Sequence, residues 1–91
     1  MQTKLGEFMR EMRLEAELSL RALGEEIGVS YTSLAEMETG KRRVPRKHIP
    51  ALCEALGLTL AEKKEFRLLW DADLDAREAA ERSRHAPRIR G

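Results

Sequence analysis

Large apolar side chains recur along the chain at spacings of three and four, interrupted at short intervals by glycine, proline or a small hydroxyl residue. Leu5, Phe8, Met9, Met12 and Ala16 share one side of a first helix over roughly residues 3–17, with Thr3 as its N-cap. Ser19 caps a second helix whose inward face is Leu20, Leu23 and Ile27. Gly28 stands where the chain must leave that helix in a left-handed conformation, and Val29 can plug the core from the turn. Ser30 caps a third helix that ends at Gly40. Leu34 and Met37 are its only large inward residues, and Tyr31, Thr32, Ser33, Ala35 and Glu36 make a polar or small remainder. A fourth helix from about residue 46 to 56 accommodates Pro50 only in its first turn, with Ile49, Leu52, Cys53 and Leu56 inward and Gly57 as its stop. Thr59 and Glu62 form a capping box, and the helix it opens runs through Phe66, Leu69, Trp70 and Leu74 to about Arg82.

These elements predict an all-α fold. Residues 1–82 form one domain with an extended fifth helix, and residues 83–91, which hold Pro87 and no apolar period, form a short frayed basic tail. The composition agrees, because Ala, Leu, Glu, Arg and Lys dominate and glycine and proline are few. A chain of 91 residues has only a modest core, so compact helices or a second copy must supply the buried area.

Charge changes the picture by its distribution. The formal net charge is +1, yet residues 1–38 carry four basic and eight acidic side chains, and residues 39–48 carry Lys41, Arg42, Arg43, Arg46 and Lys47 with no acid. Residues 59–81 are again acidic on balance, and residues 82–91 carry four arginines and no acid. A short helix with an exposed polar face, entered by a three-residue turn and followed at once by cations, is the layout of a helix-turn-helix that docks in a DNA major groove.

With the helices placed, the chain resembles the Cro/C1-type (XRE-like) helix-turn-helix regulators. The residues that carry the likeness are Leu18-Ser19, Leu23, Ile27-Gly28-Val29-Ser30, Leu34, Met37-Glu38, Gly40-Lys41, Leu52 and Ala55-Leu56-Gly57, within about residues 4–60. The resemblance implies a five-helix bundle of the lambda-repressor kind. It departs at Gly24, where relatives usually have alanine, and at Leu20, where they often have a polar DNA contact. It implies that Tyr31, Thr32, Ser33 and Glu36 face the groove and that Arg13 of the first helix pairs with Glu38 at the end of the third.

Chemistry supports these assignments. Threonine can offer its methyl to thymine, serine and threonine hydroxyls can serve donors or acceptors, and a glutamate can accept from cytosine N4. With no Arg, Asn or Gln on this face, direct readout has few bidentate bonds and DNA shape carries more of the selectivity. Phosphates need cations and free helix amides, which points to Ser19, Arg21, Ser30, Lys41, Arg42 and Arg43. For Glu36 the competing reading is a surface pair with Arg42 or Arg43, and for Tyr31 it is packing on the second helix. Phe66, Leu69, Trp70 and Leu74 form a stripe on the fifth helix that is long for a core cap alone, which predicts a homodimer interface.

Other chemistries have less behind them. Asp71, Asp73 and Asp75 imitate the start of a calcium loop, but Ala76 and Arg82 occupy positions that need glycine and glutamate. Cys53 has core spacing, and it forms no metal spacing with His48. One cysteine, no signal-peptide pattern and no bilayer-length apolar run suit a cytoplasmic protein. No nucleophile, base and orienting group come together, so no enzyme, cofactor or metal is expected. The expectation is therefore a homodimeric, sequence-specific regulator, most simply a repressor on a near-palindromic double-stranded operator. The alternative is an antitoxin-like or adaptor protein that binds a partner protein through the fifth helix or the tail.

Overall fold

The computed structural model describes residues 3–85, with the side chains of 83–85 left aside. Five α-helices follow one another: α1 (Lys4–Glu15), α2 (Leu20–Ile27), α3 (Tyr31–Thr39), α4 (Ile49–Ala55) and α5 (Leu60–His85). Side chains written into the sequence start four of them. Thr3 Oγ1 accepts from the Gly6 amide at 3.0 Å, Ser19 Oγ from Ala22 at 3.0 Å, and Ser30 Oγ from Ser33 at 3.2 Å. The capping box closes in both directions, Thr59 N to Glu62 Oε1 at 2.9 Å and Glu62 N to Thr59 Oγ1 at 3.1 Å.

The core joins Leu5, Phe8 and Met9 of α1, Leu23 of α2, Leu34 and Met37 of α3, Ile49, Leu52 and Cys53 of α4, and Phe66 and Trp70 of α5. Each lies on the inward stripe of its helix, so apolar burial fixes the packing. Phe8 and Phe66 stack as a tilted ring pair with centroids 6.0 Å apart.

Several boundaries differ from the sequence reading. The first helix stops at Glu15, because Leu14 and Arg13 carbonyls take the amides of Glu17 and Leu18 at 3.0 and 3.1 Å. Glu17 provides the left-handed residue of that C-terminal motif, with φ 58, where glycine is usual. No glycine marks the stop, so apolar spacing alone carries the helix too far, and Ala16 is exposed rather than inward. The fourth helix begins as a 3-10 turn over Arg46–His48 and becomes α-helical at Ile49, which puts Pro50 in the first turn. The fifth continues through His85 rather than ending near Arg82, so only residues 86–91 of the expected tail lie outside the described part.

The stripe on the fifth helix is corrected in part. Phe66 is 0% exposed and Trp70 7%, both inside the chain's own core, while Leu69 and Leu74 pack partly against it. For Trp70 the reason is Val44. It follows three cations and precedes Pro45, yet it is buried, and its carbonyl accepts from Trp70 Nε1 at 2.7 Å. The loop therefore covers the α5 face at Trp70, while α1 covers it at Phe66 through Phe8.

Candidate nucleic-acid interface

The unit formed by α2, the turn 28–30 and α3 is assembled from backbone contacts. Gly28 takes φ 75 and the amide of Val29 returns to the Gly24 carbonyl at 2.9 Å. A methyl group on Gly24 would overlap the Val29 carbonyl oxygen, so the missing side chain permits the close turn, beyond any cost to helix propensity. A methyl group on Gly6 would likewise overlap the Glu38 carbonyl oxygen, which means that α1 meets the last turn of α3 backbone to backbone.

The most specific anchor is electrostatic. Arg13 Nε donates to Glu38 Oε2 at 2.7 Å, Nη2 donates to Glu38 Oε1 at 3.1 Å, and Nη1 donates to the Leu18 carbonyl at 2.9 Å. Both side chains are buried. One planar guanidinium thus joins α1, the segment entering α2 and the end of α3, a bidentate geometry that lysine could not reproduce.

With that end fixed, the opposite side of α3 faces outward. Tyr31 is 49% exposed, Thr32 and Ser30 are exposed, and Ser33 and Glu36 are half-buried. Ser30 and Ser33 hydroxyls are 3.0 Å apart in a hydrogen bond, leaving acceptor capacity on both. Arg21 at the start of α2 lies over the Tyr31 ring, 4.8 Å from its centroid. Ser19, also exposed, is spent as the cap of α2. Glu36 pairs with Arg42, whose Nε donates to Oε1 at 2.9 Å.

Lys41, Arg42 and Arg43 are all exposed on the loop that follows α3. Sequence reasoning missed how that loop is held. At one end Arg77 Nη2 donates to the Gly40 carbonyl at 2.9 Å while its Nε is held by Asp73 Oδ2 at 2.7 Å. At the other, Trp70 donates to Val44. Trp70, Asp73 and Arg77 all belong to α5, so this helix fixes both ends of the cationic loop. The signal in the sequence is the run Trp70, Asp73, Leu74 and Arg77 on one side of a helix, where charges interrupt an otherwise inward face.

Elsewhere, an open groove between α4 and α5 is lined by Ile49, Pro50, Leu58, Lys64, Arg67 and Leu68, away from the polar face of α3. Burial pushes the Cys53 thiol above its ordinary pKa, against the opposing pull of Lys63 and Arg67, which disfavours the reactive thiolate. Among the described residues no three His, Cys, Asp or Glu side chains are grouped to hold a metal, and no helix is long and apolar enough to cross a membrane.

The sequence profile of a helix-turn-helix domain matches residues 4–66. The chain belongs to that helix-turn-helix family. Its relatives include the clp gene regulator ClgR from Corynebacterium glutamicum. One crystal structure of ClgR is 31% identical over 91% of this chain and 92% of its own, with a TM-score of 0.59. Another crystal structure of ClgR is 32% identical over 68% of this chain and 80% of that one, with a TM-score of 0.61. No curated protein sequence matches the chain. The family and these neighbours make the helix-turn-helix chain a DNA-binding protein of the transcriptional-regulator type.

Proposed function

We propose that this helix-turn-helix chain is a non-enzymatic, sequence-specific regulator that works in the cytoplasm. It represses transcription as a homodimer on a near-palindromic operator, including one at its own promoter. Tyr31, Thr32, Ser33 and Glu36 meet base edges in the major groove, and Ser19, Arg21, Ser30, Lys41, Arg42 and Arg43 meet phosphates. The observation that carries this reading is the outward polar face of α3 beside three exposed cations whose loop is pinned at both ends. A pinned loop presents its charges at fixed places, which lowers the ordering cost of gripping the strands.

The second copy docks on the outer side of α5. Leu68 is 70% exposed there, with exposed Lys64 and Arg67 before it and exposed Asp71 and Asp75 after it. An antiparallel copy across a two-fold axis sets those cations against those carboxylates, and a parallel copy sets like charges together. The partner-protein reading has one observation in its favour. Helix α5 runs on through His85, and its residues 78–82 are exposed.

The deciding experiment is selection of bound duplexes from a random pool, followed by salt titration of the selected site. A two-fold consensus is expected. Arg42→Ala with Arg43→Ala should flatten the logarithmic salt slope by about 0.9 for each phosphate no longer neutralised. A chain that enriches no sequence, or whose slope is unchanged, refutes this reading. Enrichment of single, unpaired half-sites refutes the dimer alone.

A further inference from the structure

At each end of α3 one cation is already engaged within the free protein by a side chain of the proposed groove face. Arg21 rests on the Tyr31 ring at one end, and Arg42 is held by the Glu36 carboxylate at the other. The second contact is built by the backbone. The amides of Lys41 and Arg42 both donate to the Glu36 carbonyl, at 2.8 and 3.1 Å, which turns the chain back so that residue 42 lies beside residue 36. Neither side chain of that pair is enclosed, with 53% of Arg42 and 37% of Glu36 exposed. A phosphate oxygen can therefore reach the guanidinium from solvent and replace the carboxylate.

We infer that Glu36 is a specificity-determining residue that competes with the DNA backbone for Arg42. Gripping a phosphate with Arg42 strips Glu36 of its partner and leaves a bare carboxylate against the groove. Its negative charge is then repelled by the duplex unless the base pair opposite offers an amino group, as cytosine N4 does. Backbone grip and base readout are thereby coupled through one ion pair: an arbitrary sequence breaks the pair without return, and the right one replaces it. This inference rests on the DNA-binding reading.

The test is a double-mutant cycle on a duplex of arbitrary sequence at fixed low salt, using the full chain and Glu36→Gln in parent and Arg42→Ala backgrounds. Glu36→Gln should tighten binding by about two- to fivefold more in the parent than in the Arg42→Ala chain, the range of an exposed ion pair. An equal gain in both backgrounds means simple charge repulsion and overturns the inference. A larger gain without Arg42 means that the pair persists on DNA, which also overturns it. A second arm selects duplexes from a random pool. The parent should fix a base with an exposed amino group at one position in each half-site, and Glu36→Ala should lose that preference there and at no other position. Retention of the preference overturns the inference. A parent chain that binds no duplex at all overturns the DNA reading itself, and this inference with it.

Discussion

At its C-terminal end α3 is held by three contacts, two from α1 and one from α5. Arg13 grips Glu38, the α1 backbone presses against its last turn at Gly6, and Arg77 of α5 holds the Gly40 carbonyl just beyond it. At its N-terminal end the helix has a cap from Ser30, and Tyr31 and Thr32 stand in solvent. Under the proposed function the contrast separates positioning from reading. One end sets where the helix points and the other leaves Tyr31 and Thr32 exposed. A buried bidentate ion pair suits the first task because its geometry is narrow, and it suits the second badly because it uses up every polar atom.

The comparison can be broken most severely at the tied end. Arg13→Ala leaves the Glu38 carboxylate buried without a partner and should cost about 3–5 kcal/mol in chemical unfolding. Replacing Arg13 and Glu38 together by Met should return much of that loss, since no charge is then stranded; a double variant as unstable as the single would show that the pair itself supplies net stability. Gly6→Ala forces a side chain against the Glu38 carbonyl and should cost about 1–3 kcal/mol. An unchanged unfolding midpoint would mean that α1 and α3 are not in backbone contact. At the open end Ser30→Ala removes one helix cap and should cost about 1 kcal/mol. The smallest effect on stability belongs to Thr32→Ala, within about 0.5 kcal/mol. This last variant should nevertheless relax the sequence preference of bound duplexes, and a preference that survives it would remove Thr32 from the reading face.

Much of this arrangement is legible in the residues. Thr3, Ser19, Ser30 and the Thr59–Glu62 box start helices because their oxygens reach amides three residues on, a local interaction that needs no knowledge of the fold. The helix faces follow from the spacing of Leu5, Phe8, Met9, Leu23 and Leu34. The end of α1 was not legible, because a glutamate takes the left-handed position that glycine normally signals. Val44 was not legible either. Among cations and beside a proline it reads as solvated loop, and only the proximity of Trp70, far along the chain, gives it a reason to be buried.

By itself the sequence determined the five helices, the side-chain caps of four of them, most of their inward faces and the cluster of cations after α3, since each depends on neighbours within a turn or two. Tertiary structure alone decided which surfaces remained available. It drew Trp70 and Phe66 into the core, joined Arg77 to the Gly40 carbonyl and left Leu68 outside. Exposure depends on what arrives from elsewhere in the chain, and apolar or charged patterning along a single helix carries no record of it.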